Sequence, residues 1–378
     1  MKKWILLFLL LLIPYKSMAE ELIPNGNSGV LIEAGSGKIL YEKNSHERSS
    51  VASLTNMVAQ IIILEEIEKG KIHWDDVVTI SHHASSMGGS QIYLAEGEKM
   101  TVRDLMKGIS VASGNDATVA MAEYIGGSEE KFVERMNEVV KQMGLKDTHF
   151  VNSTGLDEED HYSSGYDMAM IARELVMNHS KVLEFSSIYE DYLRENSDQK
   201  FWLVNTNKLI RFYEGADGLK TGHTDDAGYC LAATAKRDNM RLIGIVLGEK
   251  DSKVRNQEVM DLLDYGFQTA QMKCLLKKGT QMDMVTMDLA TPSEIPIVLK
   301  EDLCVLEEKG QDKKYQYELK LQFPSLPVQK GDVVGKVDVL YHQKKLSSGD
   351  LMVSFDVQSL SFMSFVKKTL LNLLYGVL

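Results

Sequence analysis

From Ser53 to about Gly70 the apolar residues Leu54, Met57, Val58, Ile61, Ile62, Leu64 and Ile67 recur at helical spacing and surround the helix nearly all round. A surface helix keeps one polar face toward water, so this pattern requires a helix running through the middle of a domain. Other helices flank it in sequence. Thr101 with Asp104 opens one, and the stretches 115–124 and 129–143 supply two more. The stretches 217–224, 229–234 and 241–247 read as strands, separated by the turn signals Asp225-Asp226-Ala227-Gly228 and Asp238-Asn239. Ahead of the central helix, Val30-Leu31-Ile32 and Ile39-Leu40-Tyr41 form a hairpin around Gly35-Ser36-Gly37. A phosphate-binding loop is excluded there, because Ile32 and Ile39 occupy the places that need glycine and a hydroxyl. A helix at 259–267 closes the unit. Strands at both ends with helices between predict an α/β (α+β) domain whose sheet is assembled from both ends of the segment.

The texture changes after about residue 272. Ile295-Pro296-Ile297-Val298-Leu299, Tyr317 to Leu321, 333–337 and 339–341 are short alternating runs punctuated by Gly, Pro and Ser, which predicts a small all-β domain over 272–357. No catalytic constellation lies in it. In 358–378, Phe362, Met363, Phe365, Val366, Leu370, Leu373, Leu374 and Val377 fall largely on one helical face, with Ser361, Ser364, Lys367, Lys368 and Asn372 mostly on the other. Such a helix suits the plane of a membrane surface, and it lacks the ~20 continuous apolar residues that a span needs. Docking on the protein's own surface or in an oligomer is the alternative. At the other end, Met1-Lys2-Lys3, an apolar run over 4–14 and Ser17-Met18-Ala19 read as a signal peptide over 1–19, which makes the chain an exported one; an uncleaved anchor is the alternative. The main domain then occupies 20–271.

A formal net charge of -12 argues against a nucleic-acid surface. The three cysteines, Cys230, Cys274 and Cys304, cannot all pair; a Cys274–Cys304 bridge is open, and reduced thiols are the simpler reading. His82-His83 and His161 lack metal-site spacing and read as ordinary hydrogen-bonders, so neither a metal nor another cofactor is expected. The run Asp157-Glu158-Glu159-Asp160 reads as a solvated loop near the rim of a cleft.

Three short motifs carry chemistry. They are Ser53-Leu54-Thr55-Asn56, Ser113-Gly114-Asn115 and Lys220-Thr221-Gly222. Their order and spacing match the S-x-x-K, S-x-N and K-T-G signature of enzymes that acylate an active-site serine, except that Asn56 stands in the lysine position. Serine needs a neighbouring base to remove its proton as the new bond forms. Residues i and i+3 share a helix face, so residue 56 is placed to reach the Ser53 hydroxyl. Ser113 could relay a proton to the leaving amine, Asn115 could hold a substrate amide, and Lys220 with Thr221 could present a cation and a hydroxyl to a carboxylate.

With Leu40-Tyr41-Glu42-Lys43-Asn44, Ala112 to Ala117, Asn152-Ser153-Thr154-Gly155-Leu156 and Asp217 to Thr224, these motifs make the chain resemble a low-molecular-mass penicillin-binding protein of the D-alanyl-D-alanine carboxypeptidase family over nearly its whole length. The resemblance implies a penicillin-binding-protein/β-lactamase-like catalytic domain with an antiparallel sheet flanked by helices. It further implies that Ser53 attacks a peptidoglycan stem peptide ending in D-Ala-D-Ala, that water hydrolyses the acyl-enzyme, and that β-lactam antibiotics acylate the same serine. The backbone N–H groups of Ser53 and His223 would form the oxyanion hole. Arg255 would assist the carboxylate, with an ordinary surface arginine left open. The protein would work on the outer face of the cytoplasmic membrane of a bacterium.

Asn56 is the departure. An amide has no useful basicity near neutral pH, and general-base catalysis is typically worth ~10²–10⁴-fold, so turnover is expected to be impaired while substrate binding survives. The alternative is a catalytically inactive peptidoglycan- or β-lactam-binding wall protein. The extra β domain and terminal helix argue against a soluble β-lactamase.

Overall fold

The computed structural model describes residues 21–195 and 197–375, so the expected signal segment lies outside the described residues. The central helix forms over Asn56–Glu68, entered through one 3-10 turn at Ala52–Thr55. Met57, Val58, Ile61, Ile62, Ile63 and Leu64 are all but inaccessible to water, each burial being worth ~1.5–3 kcal/mol. Helices Asn115–Gly126, Glu129–Gln142 and Gly165–Asn178 pack around this helix. Gln60 breaks its apolar surface and is satisfied by donating to Ser110 Oγ at 2.8 Å.

The helix Gly165–Asn178 has no counterpart in the sequence reading. Its start carries a legible signal, for Ser164 caps it by accepting from the Asp167 N–H at 3.2 Å. Thr101 caps Val102–Ala112 in the same way, through the Asp104 N–H.

The sheet is antiparallel, in the order Ile39–Lys43, Ser28–Glu33, Met240–Glu249, Gly228–Arg237, Ala216–Thr224. It is covered on both faces. Val30, Ile32, Ala232, Ile243 and Ile245 point into the core shared with the central helix, whereas Leu31, Leu231, Ala233, Leu242 and Val246 point to the core under helix Ser252–Thr269. Burial on two sides explains why these strands read as continuous apolar runs rather than as alternation. The outermost strand, Ala216–Thr224, lies against the 3-10 turn, and this contact brings the first and third motifs together. Gly222 is the point of closest approach, where a Cβ would meet the Val51 carbonyl oxygen at 2.8 Å.

The second domain has a core of its own, including Ile295, Ile297, Leu299, Val337, Val339, Leu351 and Val353. Its main sheet runs Gln281–Thr286, Glu294–Leu299, Lys344–Val353, Val333–Tyr341, Gln316–Leu321. The adjoining ribbon pairs Ala270–Leu276 with Leu303–Glu308 and sets Cys274 directly opposite Cys304. These two form a disulfide, which corrects the expectation of reduced thiols; Cys230 stays free and buried. The physical reason is register, since cross-strand partners bring their Cβ atoms within bridging distance.

The terminal helix forms over Phe362–Tyr375, with Phe362, Met363, Leu370 and Leu374 more than half exposed. Among the described residues no helix is long and apolar enough to cross a membrane.

Candidate active site

Ser53 is half-buried in the 3-10 turn ahead of the central helix. Its neighbour Ala52 has φ of 48°, a left-handed conformation uncommon for a residue with a side chain. Such strain persists only where surrounding contacts over-determine it. The Thr55 hydroxyl donates to the Ala52 carbonyl at 2.9 Å. Gly155, at φ +85°, lies so close that a Cβ there would come within 2.0 Å of the same carbonyl oxygen. His161 Nε2 sits 2.9 Å from Thr55 Oγ1, and His161 Nδ1 accepts from the Val151 N–H at 3.3 Å. Because Thr55 gives its proton to Ala52, Nε2 must carry the imidazole hydrogen. Burial, then the charge of His149, pushes the His161 pKa down to about 4 and keeps the ring neutral.

The Asn56 side chain does not hydrogen-bond to Ser53, whose carbonyl accepts from the Asn56 backbone N–H instead. Its Nδ2 donates to Thr118 Oγ1 at 3.2 Å and to the Ser153 carbonyl at 3.4 Å, and its Oδ1 is buried without a protein partner. The side chain ties the central helix to the helix Asn115–Gly126 and to the Asn152–Leu156 stretch.

Ser113 ends the helix Val102–Ala112 in a left-handed conformation, φ 61°, and Asn115 begins the next helix two residues on. This sharp junction turns both side chains away from their own helices. Lys220, on the edge strand, donates to Ser113 Oγ and to the Thr221 carbonyl, each at 2.6 Å. It is 1% exposed, and burial, with Arg255 nearby, lowers its pKa from 10.5 to about 7. Asn115 donates to the Gly88 carbonyl at 2.9 Å and leaves Oδ1 buried and unpartnered. The Thr221 hydroxyl donates to Thr206 Oγ1 at 2.7 Å. The exposed His223 ring stacks on Tyr229, with centroids 4.0 Å apart.

Arg255 is no surface arginine. It is 5% exposed, donating to the Cys230 carbonyl at 3.2 Å and to Asn256 Oδ1 at 2.7 Å, and its burial brings its pKa down to about 10. It supplies positive potential behind the edge strand.

The structure therefore joins Ser53, Asn56, Ser113, Asn115, Lys220 and Thr221 through the contacts of three elements, with His223 farther along the edge strand and Arg255 behind it. Sequence reasoning missed Thr118 and Thr206, which carry no signal; it read His161 only as a hydrogen-bonder, which it is, and named Gly155 only within the Asn152–Leu156 stretch. Asp157 is exposed, as expected of this acidic run, and it also accepts from Thr224 Oγ1 at 2.6 Å and from Ser50 Oγ at 3.2 Å, bridging the edge strand to the segment before Ser53. Among the described residues, no group of three or more His, Cys, Asp or Glu is placed to hold a metal ion.

Residues 17–251 match the family model described as D-alanyl-D-alanine carboxypeptidase. The chain belongs to this family. Residues 271–359 match the C-terminal domain of penicillin-binding protein 5. The D-alanyl-D-alanine carboxypeptidase DacF of Bacillus subtilis is 46% identical over 353 residues, covering 93% of this chain and 90% of that protein. Penicillin-binding protein 5 of Haemophilus influenzae superposes with a TM-score of 0.71 at 33% identity, over 89% of this chain and 98% of the other. Penicillin-binding protein D2 of Listeria monocytogenes, solved in an ampicillin-bound form, matches with a TM-score of 0.58 at 29% identity, over 64% of this chain and 97% of the other. The two-domain penicillin-binding-protein fold and the family's serine-type carboxypeptidase class follow from these matches.

Proposed function

We propose that this protein removes the terminal D-alanine from peptidoglycan stem peptides through an acyl-Ser53 intermediate, and that β-lactams acylate the same residue. The observation that carries this reading is the junction of the three motifs: a strained turn presenting Ser53, Ser113 bonded to a buried Lys220, and Asn115 with a free amide oxygen. In this assignment Ser53 is the nucleophile and Ser113 passes the proton to the leaving amine. Asn115 holds the substrate amide, and Lys220 and Thr221 engage the carboxylate. The N–H groups of Ser53 and His223 receive the oxyanion, and Arg255 reinforces the positive potential. The ampicillin-bound Listeria relative supports β-lactams as ligands.

Asn56 occupies the position of the family's proton-acceptor lysine, and its amide is committed to Thr118 and Ser153. That favours, as a second reading, a wall protein that binds stem peptide or β-lactam without turnover. Restoring the lysine decides. D-alanine release from a stem-peptide mimic should rise by ~10²–10⁴-fold in Asn56→Lys. No release by either form would sink the carboxypeptidase reading.

We further assign the protein to the outer face of a bacterial cytoplasmic membrane. The signal-like residues 1–19 and the exposed apolar side chains of the terminal helix support that placement.

A further inference from the structure

Asn56 cannot take the Ser53 proton, and its orientation is fixed. Thr118 Oγ1 already donates to the Gly114 carbonyl at 2.9 Å, so toward Asn56 it can only accept, as the Ser153 carbonyl must. The NH₂ group has to face them, which leaves an amide oxygen of no basicity on the other side. His161 is no substitute, because both ring nitrogens are engaged, with Thr55 and with the Val151 N–H. Asp157 is held by Thr224 and Ser50 at the rim. Asp116, next to Asn115, accepts from the N–H groups of Ile92, Leu94 and Ala117.

Lys220 is different. It is fully buried, and both its hydrogen-bond partners are uncharged. Among the described residues no carboxylate lies within ion-pairing distance of it. Asp217 and His223 share its strand, Tyr229, Cys230, Lys236 and Arg237 lie on the next, Arg255 is one of the charged residues of the helix behind with Lys253, Glu258, Asp261 and Asp264, and the exposed Glu184 and Arg211 sit on the short helices beside it. Asp217 is paired with Arg241 at 2.7 Å. Of these groups Arg255 alone acts on Lys220, and it disfavours the ammonium. The neutral amine is therefore accessible near neutral pH. It can still donate one hydrogen to the Thr221 carbonyl while its lone pair accepts from the Ser113 hydroxyl. The Ser113 oxygen is then free to receive another proton.

We propose that Lys220, acting through Ser113, is the base that takes the Ser53 proton during acylation in this lysine-less site. As Ser53 Oγ bonds to the carbonyl carbon, its proton passes to Ser113 Oγ and the Ser113 proton passes to Lys220 Nζ. The π electrons of the carbonyl move onto its oxygen. When the C–N bond breaks, the proton returns along the same path to the leaving amine. Proton transfer also creates the ammonium that pairs with the substrate carboxylate. The proposal rests on the acyl-Ser53 reading.

The test is the second-order rate of Ser53 labelling by a fluorescent penicillin, followed from about pH 5 to about pH 9 in the full chain. The parent rate should climb about tenfold per pH unit at the acid end and level off above neutrality. Lys220→Arg keeps a cation that cannot deprotonate, and Ser113→Ala cuts the relay; each should lower the rate by roughly 10²-fold or more and abolish the climb. In an Asn56→Lys background, the loss on Lys220→Arg should shrink to less than about tenfold, because a second base is present. A flat parent profile, or an equal loss on Lys220→Arg in both backgrounds, would overturn the proposal and leave Lys220 as a binding group only. Labelling of Asn56→Lys but not of the parent would overturn it too, with the acyl-serine reading intact. Absence of labelling in every form would remove that reading itself.

Discussion

Thr55 and His161 show how much of this site is positioning rather than chemistry. Neither is placed to touch a substrate, yet together they hold the Ala52 carbonyl and so the strained turn that presents Ser53. His161 must stay neutral to keep its two bonds, and that gives stability a pH signature. Its pKa is pushed from 6.5 down to about 4 in the fold. Between these values the unfolded chain binds a proton that the folded chain refuses, so stability falls as pH drops through this window and the effect is complete below it. The contribution is about 3 kcal/mol. Urea unfolding at pH 7 and near pH 4 should show that loss in the parent, with His161→Gln less stable at pH 7 but lacking this part of the acid dependence. An equal acid loss in both proteins would dissociate His161 from it.

Elements fix the relations that residues cannot. The strands Ala270–Leu276 and Leu303–Glu308 are joined by their ladder and by the Cys274–Cys304 bridge, which closes a loop with a sequence separation of 30. Cross-linking a loop of that length is worth about 3–4 kcal/mol by the chain-entropy argument. Cys304→Ser should therefore lower the unfolding free energy of the second domain by roughly that amount. Penicillin labelling of Ser53 should be unchanged, because the ribbon packs against the core under the helix Ser252–Thr269 and not against the core around the central helix. A shift confined to the catalytic domain's transition would refute the assignment. In the catalytic domain, the edge strand Ala216–Thr224 owes its position to Gly222, which allows the Ser53 turn to approach.

At the scale of the whole molecule, two domains with cores of their own precede a helix on which Phe362, Met363, Leu370 and Leu374 are more than half exposed. The proposed membrane placement makes a direct prediction. Phe362 and Leu374 are 77% and 76% exposed, and replacing both with serine should reduce co-sedimentation with anionic phospholipid vesicles at least severalfold while leaving Ser53 labelling unaltered. Equal sedimentation of parent and variant would reject the placement.

The central helix, the sheet built from both ends of the catalytic segment, the second β domain and the order of the three motifs were legible because each depends on local periodicity or spacing. Even the missing base was legible, as Asn56 is read directly from the chain. The helix Gly165–Asn178 is marked in the sequence by little beyond its Ser164 cap, and the bridge between Cys274 and Cys304 depends on a strand register that three cysteines do not reveal. What Asn56 does instead of proton transfer depends on Thr118 and Ser153, 62 and 97 residues away. Lys220 meets Ser113 across 107 residues, and its depressed proton affinity comes from burial and from Arg255 on another element. Sequence alone determined which groups the site contains, because identity and spacing are local. Only the tertiary structure decided which of them could hold a proton, because desolvation and long-range contacts exist only in the folded chain.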